Sequence, residues 1–161
     1  MLRQASVSDL ISNRVSREKA YIVITMRRYP RFVNRNLRDE CLSCMSPERK
    51  LFEDWLSAKR RFKNHDGAFD KVRFEERFDV EDEGLEQLAR LCALASAKEV
   101  YLVCQCPTGQ RCHREFVLIL ARRLFKANAE KPKNPYPDFE KRIPEFRKRL
   151  KRNARLLRKS A

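Results

Sequence analysis

Apolar positions along the chain follow two rhythms. Val100-Tyr101-Leu102-Val103 and Ala20-Tyr21-Ile22-Val23-Ile24-Thr25-Met26 are short, nearly unbroken apolar runs. Such runs mark strands buried on both faces, and the second is rich in β-branched residues. Other stretches repeat at three and four residues, the helical period. Leu51, Phe52, Trp55 and Leu56 predict a helix to about Phe62. Leu85, Leu88, Leu91, Cys92 and Ala95 predict a second. Phe116, Val117, Leu120, Ala121 and Leu124 predict a third, from near Cys112 to about Asn128. Phe139, Ile143, Phe146, Leu150, Ala154 and Leu157 predict a C-terminal helix with a bend at Pro144.

Shorter signals fill the gaps. Residues 2–7 read as a short strand, followed by a helical turn over Asp9 to Asn13 capped by Ser8. Pro30 ends the strand at 20–26, since it lacks an N–H and restricts Tyr29. Leu37, Cys41 and Cys44 are spaced for a short helix. Ser46-Pro47-Glu48 reads as a helix start with Ser as N-cap and Pro at the first helical position. Lys63 to Gly67 reads as a loop. Val72, Phe74 and Phe78 alternate with charges, as in a half-buried or edge strand. Glu81-Asp82-Glu83 places acid at a helix start, favourable with the macrodipole. Lys131-Pro132-Lys133-Asn134-Pro135-Tyr136-Pro137 cannot be helical and reads as a linker. Strands alternating with helices predict an α/β layered sandwich with a mostly parallel or mixed sheet of about four or five strands, flanked by helices, plus a basic C-terminal helix. The expected organisation is an α/β domain over 1–128, a linker over 129–137 and a tail over 138–161.

Charge sharpens the view of the tail. The chain of 161 residues carries a formal net charge of +15. From Lys126 onward there are 13 basic and 4 acidic residues, an excess of +9, against +6 for everything before. Such asymmetry suits a polyanionic partner, although it also solubilises. Arg142, Arg147, Lys148, Arg149, Lys151, Arg152, Arg155 and Arg158 crowd the face opposite the apolar stripe. Nucleic acid is the expected partner, and a membrane surface is the rival. No apolar run is long enough for a bilayer span and no signal peptide opens the chain, which predicts a cytoplasmic protein with reduced cysteines. Three glycines in the whole chain exclude a Walker loop and a dinucleotide fingerprint, which need several close together.

Chemistry gathers in one stretch. Cys104-Gln105-Cys106-Pro107-Thr108-Gly109-Gln110-Arg111-Cys112-His113-Arg114 puts three of the six cysteines, one of the two histidines and two arginines between a strand and a helix. A helix start beside cations favours a thiolate, so Cys112, His113, Arg114 and Cys104 are the candidate catalytic residues. The layout resembles that of cysteine phosphatases and sulfurtransferases only in part, since neither Cys104 nor Cys106 is followed six residues later by arginine. Arg27, Arg28, Tyr29, Arg31 and Arg111 follow predicted strands and form a candidate ligand site, because guanidinium forks bind phosphate. Metal is the second reading, with Cys104, Cys106, Cys112 and His113 as candidates and zinc or iron as the ion. Cys41 and Cys44 are weaker candidates. Cys92 sits on a core stripe and is packing.

At these residues the chain resembles the family called domain of unknown function 488. The resemblance rests on Arg27-Arg28-Tyr29-Pro30-Arg31 after one strand and on Cys112-His113-Arg114 opening a helix. It also covers Ser46-Pro47-Glu48-Arg49-Lys50-Leu51 and Phe69-Asp70-Lys71-Val72-Arg73-Phe74-Glu75-Glu76-Arg77-Phe78, within about residues 15–126. It implies a compact α/β domain with both motifs at one site, and no particular reaction. The expected function is binding of a phosphate-bearing ligand, a nucleotide or nucleic acid, at the Arg/Cys/His site, with Cys/His-based catalysis. The alternatives are a non-catalytic nucleic-acid-binding module using the tail, and a Cys-ligated metal-stabilised domain.

Overall fold

The structure is a computed structural model that describes residues 1–160, with side chains described through Ala154. The expectations for Arg155, Leu157 and Arg158 therefore lie outside the described side chains. Four strands form one parallel sheet: β1 (Leu2–Ser6), β2 (Tyr21–Ile24), β3 (Glu40–Cys41) and β4 (Val100–Cys104), in the order β1-β4-β2-β3. The helices are α1 (Val7–Ile11), α2 (Arg49–Phe62), α3 (His65–Lys71), α4 (Phe74–Arg77), α5 (Asp82–Leu94), α6 (His113–Leu124), α7 (Pro137–Glu140) and α8 (Ile143–Ser160). The expected α/β architecture is the one observed. No described helix is long and apolar enough to cross a membrane.

The apolar run of β4 is explained by its place between β1 and β2, with Val103 opposite both Ala5 and Ile24. Val100 and Leu102 point into the larger core, which also holds Val23, Phe116 and Leu88. Val103, Ile22 and Ile24 point into a smaller core under α1. Nine consecutive residues of α6, His113 to Ala121, are buried. Such all-round burial arises because sheet, aromatic helices and C-terminal segment enclose α6. Phe116 meets Phe78, Tyr136 and Phe139 with ring centroids 5.1, 4.4 and 4.5 Å apart, and Phe139 meets Phe146 at 5.7 Å. Phe139, Ile143 and Phe146 of the apolar stripe thus pack into the main core, with Leu150 half-buried beside them. The chain between α6 and α7 returns to β1 and covers its edge, with Leu2 N–H donating to Asn128 O and Glu130 N–H to Leu2 O, each at 2.8 Å.

Several local expectations are corrected. Ser6, not Ser8, caps α1: its hydroxyl accepts from Asp9 N–H at 3.0 Å while Asp9 accepts from Ser6 N–H at 2.9 Å, a reciprocal box. Cys41 ends strand β3 and Cys44 sits in a 3₁₀ turn, so they share no helix. The exposed edge of β2 takes up this backbone, with Leu42 N–H donating to Ile24 O at 2.8 Å. Ser46 does not cap α2, which starts at Arg49. Pro47 holds Ser46 extended, and the Ser46 hydroxyl donates back to Ser43 O at 2.5 Å. The stretch read as a loop at 63–67 starts α3, capped by Asn64, whose Oδ1 accepts from Gly67 N–H at 2.8 Å. The expected strand over 72–78 is the end of α3 and α4, separated by Arg73 at φ 53°. Helix α6 stops at Leu124, before the expected Asn128. Pro144 lies in the first turn of α8, where its missing N–H costs nothing, and the chain breaks ahead of it.

Candidate functional site

Strands β2 and β4 are parallel neighbours, so the loops leaving both emerge at the same sheet edge. Ligand sites in open parallel sheets lie at such carboxyl ends. The β2 loop delivers Arg27, Arg28 and Tyr29, and the β4 loop delivers Cys104 to Cys112. Together with α2 and α3 they enclose a cavity of about 430 Å³. Cys104, Cys106, Cys112 and His113 line one part of it together. Phe52, Trp55, Phe69 and Phe74 supply aromatic wall, and Arg27, Arg28 and Lys59 supply cationic groups.

The three thiols converge, with all sulfurs within 4.8 Å of one another. Cys104 and Cys106 are 3.9 Å apart. Cys112 caps α6 without making a side-chain cap bond, so its sulfur stays available at the positive end of the helix. His113 Nδ1 lies 3.7 Å from Cys112 Sγ, while His113 Nε2 lies 2.7 Å from the Thr25 carbonyl, to which it donates. Arg114 is fully buried beneath them. It donates from Nε to Cys112 Sγ at 3.3 Å, from one terminal nitrogen to Cys106 O at 2.7 Å, and from the other to Ala5 O.

These contacts fix the charge of the cluster. A buried guanidinium without a counter-charge is expensive, and among its described contacts only the Cys112 sulfur can become an anion. Burial works against the Cys112 anion. Hydrogen bonding from Cys104 and Cys106 and the charges of Arg114 and His113 outweigh it, holding the thiol well below its usual range. Burial likewise disfavours the His113 cation, but the Cys112 and Cys104 charges push it up to about 10. Hydrogen bonds with Cys104 and Cys112, then burial, push Cys106 up. These contacts favour the Cys112 anion and the His113 cation beside the fixed charge of Arg114, and disfavour ionisation of Cys106.

A buried carboxylate locks the surrounding frame. Glu115 accepts from Tyr136 OH at 2.5 Å, Lys133 N–H at 2.6 Å, Asn134 Nδ2 at 2.9 Å and Gln4 Nε2 at 3.2 Å. Tyr136 OH also accepts from Cys112 N–H at 3.2 Å. The C-terminal segment therefore holds the start of α6 in place.

Not every predicted residue lines the cavity. Arg27, Arg28, Tyr29, Cys104, Cys112 and His113 do; Arg31, Arg111 and Arg114 do not. Arg111 pairs with Asp70 at 2.6 Å and Glu75 at 2.9 Å, packed between the Phe69 and Tyr136 rings. Arg27 donates from Nε to Pro47 O at 3.0 Å, which orients its fork. The sequence reading missed His65, whose Nε2 lies 3.5 Å from Cys106 Sγ, and Trp55, which it took only as core. The one hint was compositional: the chain has two histidines, and both flank the thiols. Just before α8, Arg142 bonds to Glu75 O and Phe78 O; on α8, Arg149 bonds to Asp79 and Val80 O, whereas Arg147, Lys148, Lys151 and Arg152 are exposed.

The family model described as the active DUF488-N3 subclade matches residues 6–129. No curated protein and no solved structure matches the chain. The matched span holds β2, β4, the whole thiol cluster and both cavity loops, and on that match the chain belongs to the DUF488-N3a family.

Proposed function

We propose that the cavity binds a phosphate-bearing ligand of the nucleotide class. Its phosphate meets Arg27 and Arg28, and its other end faces the Cys104, Cys106, Cys112 and His113 cluster, where Cys/His chemistry acts on it. The observation that carries this reading is that one cavity unites the cationic loop, the aromatic wall and the charged sulfur cluster. Guanidinium forks suit a phosphate, and aromatic side chains suit the flat face of a base.

Trp55 is the chain's sole tryptophan, so its fluorescence reports directly on the cavity. Titration with a nucleoside, its monophosphate and inorganic phosphate should show the monophosphate binding most tightly. Arg27→Ala and Arg28→Ala should each weaken it by about tenfold, roughly one charge-assisted hydrogen bond. Equal response to nucleoside and monophosphate, or no response to either, would refute the phosphate assignment. A second reading is nucleic-acid contact along α8, supported by the exposed Arg147, Lys148, Lys151 and Arg152.

A further inference from the structure

We propose that Cys104, Cys106 and Cys112 hold a divalent metal ion of the zinc class as thiolates, with His65 Nε2 as the fourth ligand. The inference concerns the thiol end of the proposed cavity and does not depend on the phosphate reading. Two of its edges match those of a tetrahedral site. With metal–sulfur bonds of about 2.3 Å and metal–nitrogen bonds of about 2.0–2.1 Å, ligand edges come to about 3.8 Å for sulfur–sulfur and about 3.5 Å for sulfur–nitrogen. Cys104 and Cys106 are 3.9 Å apart, and His65 Nε2 is 3.5 Å from Cys106 Sγ.

The orientation of the imidazole matters as much as its distance. His65 Nδ1 lies 2.9 Å from the Asp66 carboxylate. A proton on Nδ1 leaves the Nε2 lone pair facing the sulfurs, the carboxylate–histidine arrangement that supports metal ligands. His65 opens α3, where the Asn64 cap fixes the backbone, and its side chain is only 9% exposed. His113 is the less suited imidazole: it follows Cys112 directly, and its Nδ1 lies 3.7 Å from the Cys112 sulfur, longer than the tetrahedral sulfur–nitrogen edge.

Charge points the same way. A divalent ion with three thiolates carries one net negative charge, and the Arg114 guanidinium, which donates to the Cys112 sulfur and the Cys106 carbonyl, lies against it. On binding, each protonated thiol gives its proton to solvent and forms a sulfur–metal bond, with no change in oxidation state.

The test is metal titration of the full chain, reduced and stripped by a chelator, with zinc and with cobalt(II), and no nucleotide present. The expected result is about one ion per chain, with a thiolate-to-cobalt charge-transfer band and the intense visible bands of four-coordinate cobalt. Cys106→Ser and Cys112→Ser should lose that band while keeping their circular dichroism, and Cys92→Ser should bind as the parent does. His65→Ala should weaken binding at least tenfold and alter the visible bands. Asp66→Asn should weaken it by about tenfold, in the range typical of outer-shell partners. A folded parent chain that takes up no ion would overturn the site. Unchanged affinity and spectrum in His65→Ala would overturn the fourth ligand. Metal uptake without nucleotide binding would uphold this inference and remove the phosphate reading, and the converse would do the opposite.

Discussion

At the scale of single residues, Arg114 sets the electrostatics of the cluster. Its guanidinium donates to the buried Ala5 carbonyl and Cys112 sulfur and to the part-buried Cys106 carbonyl. Arg114→Met should cost about 3 kcal/mol in urea unfolding, the range for breaking a buried charge pair. Arg114→Lys keeps the charge but not the fork, so it should recover only part. Cys92 provides a contrasting thiol. Burial pushes it up to about 12. As an acid with a raised value it stays protonated until pH approaches that range, so about one molecule in ten thousand carries its thiolate at pH 8. Iodoacetamide, followed by peptide mass spectrometry, should label Cys92 slowly and at a rate that climbs tenfold per pH unit. Fast labelling at pH 8 would contradict the packing assignment. The motif Cys112-His113-Arg114 was legible in the sequence, because cysteine, histidine and arginine at a helix start have few other uses. His65 was not: its role comes from α3 folding across the cavity, a tertiary event with no trace in local spacing.

Between residues and the whole lie the elements. The buried runs of β2 and β4 and the periods of α2, α5 and α6 announced themselves, since each buries a continuous face. Residues 72–78 did not. Val72, Phe74 and Phe78 sit at even spacing, which mimics a strand, but Phe74 and Phe78 also lie four apart. Stacking of Phe74 on Phe69 at 4.2 Å, together with the left-handed Arg73, selects two short helices instead. Cys41 and Cys44 misled for a similar reason, because a two-residue edge strand is too short to show a period. Gly84, in the first turns of α5, is a packing requirement. A Cβ there would fall 2.5 Å from Val80 Cγ1 and 2.6 Å from the Cys44 carbonyl oxygen. Gly84→Ala should therefore lower stability by about 1–3 kcal/mol, typical of overpacking, despite the better helix propensity of alanine. Thermal unfolding checks the sign: a raised melting temperature would mean that the 3₁₀ turn yields freely.

At the scale of the molecule, the basic excess and the core are interleaved along α8. Phe146 is buried, Arg142 and Arg149 reach back to the domain, and the outer face carries Arg147, Lys148, Lys151 and Arg152. Reversing the charge of Lys148, Lys151 and Arg152 should leave folding intact and weaken binding to duplex DNA. The salt slope should fall by roughly 0.9 log units for each phosphate no longer neutralised. Binding unchanged by the triple reversal would clear α8 of that role. The cavity, not the tail, is the proposed ligand site. It is tested most directly by a crystal structure of the full chain soaked with a nucleoside monophosphate. The phosphate is expected within hydrogen-bond distance of Arg27 or Arg28, the base against the aromatic wall, and the ligand's far end toward Cys112 and His113. Phosphate bound only along α8, or a cavity left without ligand at a concentration that saturates the Trp55 signal, would contradict it.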